Sequence, residues 1–268
     1  MTSKNSQISS RKIVVPAAES TLPKPAEPTP TNPGESTPTR AVSTDFPGAA
    51  AQFFAQFSDA HCHLPAVPAR VSADDEICVP DDKIRVPDAA CVLLNCSRAA
   101  DFDRVAALAA RFPGRIVPAF GIHPWFADEW TPPVAAKLRR LLAGTPRACV
   151  GEIGLDRARV APAVAVQEIA FREQLALAAE FGVPVTIHCV RAFGKTEAIL
   201  REFFLKNALP PFLLHAYAGS AEQAKIFARF GGVFSAPRRA LPPECIVVPE
   251  TDAPLGENFF LAGTRAPR

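Results

Sequence analysis

The sequence has almost no net charge, no closely paired cysteines, no long apolar run and few histidines. Its 268 residues carry 29 Lys and Arg against 27 Asp and Glu, a formal charge of +2. So even a balance supplies no general attraction to polyanions or to an acidic membrane surface. The seven cysteines are scattered, and none stands in a C-x-x-C pair. An odd count without a secretory leader reads as reduced thiols in an intracellular protein, placed in the cytoplasm with nucleus and mitochondrion left open. No apolar stretch approaches the roughly 18–20 residues of a membrane-spanning helix, so no membrane partner is expected. No glycine-rich phosphate loop follows any strand-like run, which counts against a doubly wound open sheet.

The first 48 residues are poor in large apolar side chains, above all in their Pro-rich stretch. "LPKPAEPTPTNPGESTPTR" is Pro, Thr, Ser and Glu, a composition that buries too little surface to offset its ordering entropy. Residues 1–50 are therefore expected to be a disordered tail, and 51–268 one folded domain. The opening "MTSKNSQISSRKIVV" has basic and Ser residues and no acid before Glu19. That is a faint targeting signature, but without an arginine-rich amphipathic pattern it reads as a plain solvated tail.

What is present from Phe57 onward is alternation. Eight short apolar runs, "FSDAHCHL", "AACVLLNCS", "IVPAFGIHP", "ACVGEIGLD", "PVTIHCVR", "PFLLHAYAG", "GVFSAP" and "CIVVPETDAP", read as strands. Between them, "DFDRVAALAARFP", "PPVAAKLRRLLAG", "VAVQEIAFREQLALAAEFG", "GKTEAILREFFLK" and "SAEQAKIFARFG" show the three- and four-residue apolar spacing of amphipathic helices. Ser220 with Gln223 makes a capping box, and Gly182 before Pro184 is a helix stop. Strands apolar on both faces and alternating with helices imply a parallel sheet, and eight of them imply a TIM (β/α)8-type barrel.

All five histidines fall where a strand-like run ends: His61 and His63 in the first, His123 in the third, His188 in the fifth, His215 in the sixth. Glu152 and Asp252 close the fourth and eighth. Side chains i and i+2 of a strand share a face, so His61 and His63 point together. In a parallel barrel all these ends meet at one rim. Polar groups inside apolar strands need partners, and this set finds them around a cation. Taken singly, His123 fits a loop residue as well as a ligand, and a turn role for Asp252 before Ala-Pro is the weaker alternative. Asp156 reads as a cap for the loop that follows it. Cys62, Cys96, Cys149 and Cys189 read as small hydrophobes of the sheet interior.

The motifs "DAHCHL", "GIHPW", "GEIGLD", "IHCVRA", "LHAYAGS" and "ETDAP", in this order from Asp59 to Pro254, resemble those of the TatD-like metal-dependent DNases of the amidohydrolase superfamily. The resemblance implies two divalent cations, one held by His61, His63 and Asp252, the other by His188 and His215, with Glu152 shared. It implies that His123 faces substrate and leaving group, and Arg191 is a candidate phosphate contact. Glu152, Asp252 and His123 are the expected catalytic residues, Asp252 as proton acceptor. Two divalent ions bring four positive charges and the two carboxylates cancel two, a balance suited to an anionic substrate such as a phosphodiester, with DNA as the expected partner. Imidazole and carboxylate donors suit Zn²⁺ or Mn²⁺ better than Mg²⁺, which remains a third candidate. The alternatives are hydrolysis of another ester or amide, as in an aminoacyl-tRNA deacylase, or a truncated paralogue with little activity.

One part of the pattern is short. A strand–helix step takes roughly 30 residues, and His61 to His123 spans two steps in 62 (123 − 61). His215 to Asp252 spans two steps in only 37 (252 − 215). "APRRALPPE", with three prolines, cannot form a full helix, and 16 residues (268 − 252) follow Asp252. Helices seven and eight are therefore expected to be reduced or absent, leaving a side open to a protein partner or a second copy.

Overall fold

The computed structural model describes residues 46–64, 86 and 90–255. The expected disorder of residues 1–45 and the expected loss of an eighth helix lie outside these. Eight parallel strands pair in chain order: β1 (Asp59–His63), β2 (Val92–Asn95), β3 (Ile116–Phe120), β4 (Cys149–Asp156), β5 (Val185–Val190), β6 (Phe212–Leu214), β7 (Val233–Ser235) and β8 (Val247–Val248). The eighth apolar run pairs with β7 over two residues only, and its continuation then turns to β1. Ala60 N donates to Pro249 O at 2.9 Å, Asp252 N to His61 O at 3.0 Å, and Leu255 N to His63 O at 2.7 Å. These bonds close the sheet into the expected barrel, and they tie Asp252 to the strand that carries His61 and His63.

Among the described residues six α-helices accompany the strands: α1 (Phe46–Phe54), α2 (Phe102–Arg111), α3 (Pro132–Gly144), α4 (Val164–Phe181), α5 (Phe193–Leu205) and α6 (Ala221–Arg229). The last five fall on the five periodic stretches. Pro132 opens α3, where its missing N–H costs nothing. Ser220 and Gln223 cap α6 reciprocally, and Gly182 ends α4 in the left-handed region at φ 62°.

Helix α1 crosses the boundary drawn at residue 50. Its Ala50 and Phe54 are fully buried, with Phe57 beyond it, against Leu93, Val117, Cys149, Leu213, Val233 and Val248. That set is the apolar floor of the barrel lumen, and α1 covers it. A second apolar layer lies between the sheet and the outer helices, from Val92, Leu94, Val150, Ile187, Phe212 and Phe234 to Val105, Leu108, Leu175 and Phe227. Between β7 and β8 no helix forms, as the prolines of 236–246 predict, and Ile246 and Val247 are left 40% and 49% exposed.

Candidate metal centre

The same alternation that builds the floor builds the site above it. On β7 the lumen-facing positions run Val233 then Ser235, and Leu213 of β6 is followed by His215 just past its end, apolar below and polar above; on β5 Thr186, bonded to Asn95, stands below His188. Two strands depart from strict alternation. The register of β4 slips between Val150 and Ile153, and that of β1 between Asp59 and Cys62. Each slip is a local bulge, which re-aims the side chains beyond it. On β4 it lets Glu152 face the lumen although Cys149, three residues before it, does too. Gly151 allows the close approach: a Cβ there would stand 1.9 Å from Thr186 Oγ1.

The expected residues converge on Glu152, which is almost wholly buried. Its Oε2 lies 3.2 Å from His61 Nε2 and 3.2 Å from His63 Nε2, and those two nitrogens are 3.0 Å apart. Its Oε1 lies 2.9 Å from His188 Nδ1 and 2.6 Å from His215 Nε2, and these are 3.2 Å apart. Asp252 joins the first group, with Oδ1 3.5 Å from His63 Nε2 and 3.9 Å from His61 Nε2. Each carboxylate oxygen thus shares a triangle with two imidazole nitrogens. Edges of this length are what ligands roughly 2.0–2.2 Å from one centre adopt, so the donor set fits divalent cations.

His123 stands three residues past the end of β3, not within it, where its Nδ1 accepts from Trp125 N at 3.1 Å. Its Nε2 lies 3.6 Å from Glu152 Oε1, on the His188 side. Arg191 follows β5 directly, exposed and at φ 52°, and is not among the residues that contact the cluster. Cys62, Cys96, Cys149 and Cys189 are buried thiols, as expected of small hydrophobes.

Three carboxylates join the site that the sequence did not assign to it. Asp156 caps its loop as expected, accepting from Ala158 N at 2.7 Å through Oδ1, but its Oδ2 also lies 3.2 Å from His188 Nε2. Glu250 Oε1 lies 4.0 Å from His215 Nδ1, and the carboxylate is held by Ala216 N and the Ser235 hydroxyl. His188 therefore has Glu152 on one nitrogen and Asp156 on the other, the arrangement that orients metal-binding histidines, whereas Glu250 stands beyond hydrogen-bond reach of His215 Nδ1. Asp59, the first residue of "DAHCHL", accepts from His61 N at 3.0 Å, Thr251 N at 3.1 Å and Thr251 Oγ1 at 2.5 Å. It clamps the β1 ligand pair to the segment bearing Asp252.

The groups titrate as one assembly. Burial holds the His61 imidazole down at about 3, with His215 beside it acting the same way. Burial likewise holds His123 at about 3. Burial also opposes charge on His63, but Asp252 and Glu152 outweigh it and push this imidazole up to about 10. His215 is raised to about 9 against burial, chiefly by Glu152. Burial disfavours the Glu152 carboxylate too, yet His215, His123 and His61 hold it well below the usual range. At neutral pH, His63 and His215 thus carry the protons that balance Glu152 and Asp252, and a bound cation replaces those protons.

The model of TatD-related DNases matches residues 58–262, most of the chain. The chain belongs to the TatD-related DNase family. Among curated relatives, the "3'-5' ssDNA/RNA exonuclease TatD" of Edwardsiella piscicida is 35% identical over 161 residues, 55% of this chain and 61% of the relative. The protein of the same description from Cronobacter sakazakii is 34% identical over 180 residues, 62% of this chain and 66% of the relative. The chain matches 61% and 66% of the length of these two relatives, and about half or less of others of the same description. Among solved structures, the TatD homologue YJJV from Escherichia coli K12 matches with a TM-score of 0.55 and 26% identity, over 68% of each chain. The fold agrees with this family placement. Among the described residues no helix is long and apolar enough to cross a membrane.

Proposed function

We propose that this TatD-family chain is a metal-dependent hydrolase of phosphodiester bonds acting on single-stranded nucleic acid, with two divalent cations held across Glu152. The observation that carries the reading is the division of Glu152: Oε2 faces His61 and His63, Oε1 faces His188 and His215. Relatives described as single-strand DNA/RNA exonucleases support the substrate class, and RNA joins the expected DNA for that reason. The cations would be Zn²⁺, Mn²⁺ or Mg²⁺, and their contribution is to polarise the phosphate and lower the pKa of water.

The chain's own residues do the rest. Asp252, half-exposed at the rim and depressed by its contact with His63 despite burial, accepts the proton of the attacking water. His123, neutral at physiological pH, stands beside Glu152 on the His188 side, placed to meet the leaving oxygen. Arg191 at the end of β5 contributes a phosphate contact. Asp156 alters the charge balance expected from sequence, since it adds negative charge next to His188, whereas burial raises the Glu250 carboxyl to about 7 and leaves it only partly charged at neutral pH. Attraction for an anion then falls to cations outside the cluster. Six described cysteines are free thiols, which supports an intracellular, reducing setting.

The test is hydrolysis of single-stranded DNA and RNA by purified protein with Mg²⁺, Mn²⁺ or Zn²⁺, beside an EDTA control and Glu152→Ala. Metal-dependent cleavage abolished by both controls is expected. Cleavage that persists in Glu152→Ala would show that it arises elsewhere.

A further inference from the structure

We propose that Arg159 and Trp125 form a stacking platform for a nucleobase, holding the nucleotide next to the bond that is cut. The proposal rests on the nucleic-acid reading above and names a binding element for it. The guanidinium carbon of Arg159 lies 3.5 Å from the centre of the Trp125 ring. Trp125 is 37% exposed, and Arg159 is exposed. The indole does not float: its Nε1 donates to Asp156 Oδ2 at 2.7 Å, and the same oxygen lies 3.2 Å from His188 Nε2. The ring centre is 4.8 Å from that of His123 and 6.3 Å from that of His188. The platform therefore borders the second imidazole group.

Charge singles out this pair. The segment from Arg157 to Ala163, "RARVAPA", carries two arginines and no acid, and it leaves β4 at the rim where the site opens. A similar pair nearby, Arg98 over Phe126 at 4.5 Å, has its charge taken up by Glu129. Arg159 has the indole as its only side-chain partner among the described residues, so its charge stays available where the cluster itself has gained acids. A guanidinium lying flat on an indole offers its outer plane to solvent. Bases of unpaired strands stack on such planes and on aromatic rings without regard to sequence, while double-stranded nucleic acid cannot present them. An arginine that served only to anchor its loop would more commonly pair with a carboxylate.

Steady-state hydrolysis of a base-bearing strand is compared with that of a strand abasic at the positions flanking the cut, using metal-loaded protein. Arg159→Ala and Trp125→Leu are expected to raise KM on the base-bearing strand about tenfold with kcat changed less, and to leave KM on the abasic strand unchanged. Trp125→Phe, which keeps a ring but loses the bond to Asp156, separates stacking from support of His188: it should retain most of the base-dependent KM. Binding is read independently in Trp130→Phe, where Trp125 is the sole tryptophan. Its emission should be quenched by a phosphorothioate-linked oligonucleotide and not by an abasic strand of equal length. Cleavage with equal KM on both strands and no quenching overturns the platform while leaving the nuclease reading intact. Quenching without any cleavage overturns the nuclease reading and leaves the platform.

Discussion

At the scale of single residues, Glu152 has no substitute in this site, because it alone reaches both imidazole pairs. Glu152→Ala is expected to remove both cations, and His188→Ala to weaken one site selectively; metal content and titration of the purified variants distinguish the two. Asp156→Asn should weaken binding at the His188–His215 group by about 10–100-fold, since it loosens the His188 imidazole rather than removes it. The same geometry sets the pH dependence. His63 and His215 are raised to about 10 and about 9, above the roughly 6.5 of an unfolded histidine. Their contribution to stability is full below about 6.5 and is lost as pH rises through 9 to 10. Metal uptake at pH 8 should release about two protons per chain, and apparent affinity should rise with pH until those groups have titrated. Release measured with a weakly buffered indicator checks this, and a pH-independent affinity between 7 and 9 contradicts it. The histidines were legible in the sequence through their joint pattern, because all five end apolar runs that a parallel barrel brings to one rim. Asp156 was not, because its bond to Ala158 already satisfies a local reading, and only the neighbouring register of β4 and β5 shows that its other oxygen meets His188.

At the scale of elements, the informative departures are the two bulges. A strict period of two counted from Cys149 sends Glu152 outward, into the helix layer; the slip between Val150 and Ile153 turns it inward. Sequence periodicity gives the existence of such a strand but not the phase of its two halves, so Glu152 was found from its chemistry and not from its register. The strand-eight run shows the complementary problem. It reads as one strand, yet it pairs with β7 over Val247–Val248 and then with β1 through Pro249, Asp252 and Leu255. The Asp59–Thr251 clamp secures that second half. Thr251→Val removes the hydroxyl that donates to Asp59 Oδ2 at 2.5 Å and accepts from Ala253 N at 3.2 Å. Leaving the buried Asp59 oxygen unsatisfied should cost about 1–3 kcal/mol, read as a lowered thermal midpoint. Affinity should fall at the His61–His63–Asp252 group more than at the other. Equal loss at both groups would mean that the clamp supports the barrel generally and not the Asp252 segment.

At the scale of the whole molecule, the barrel class followed from five amphipathic helices alternating with apolar runs, and those five helices are the ones observed. Helix α1 escaped because it follows a long Pro/Thr/Ser segment and is itself mostly Ala and Phe, with too few polar residues to show a face. Its function is evident only when the barrel is closed: a ring of eight strands has two mouths, and the one opposite the site is lined by Leu93, Val117, Leu213, Val233 and Val248. Phe53, Phe54 and Phe57 cover that mouth as a packed aromatic group, with ring centres 5.1 and 5.3 Å from Phe53 to the other two. Phe54 is fully buried, so Phe54→Ala should destabilise the chain by about 3–5 kcal/mol. Two deletions then locate the boundary of the folded unit. Removing residues 1–42 should leave the unfolding midpoint, the metal content and the hydrolysis unchanged, because every residue of the site and of the floor lies beyond them. Removing residues 1–54 should lower the midpoint sharply and increase dye binding to apolar surface, because it uncovers the lumen floor, whereas no ligand residue is lost. Retention of two ions by the longer deletion at low temperature, with their loss only on unfolding, would show that α1 supports the barrel and takes no direct part in holding the cations.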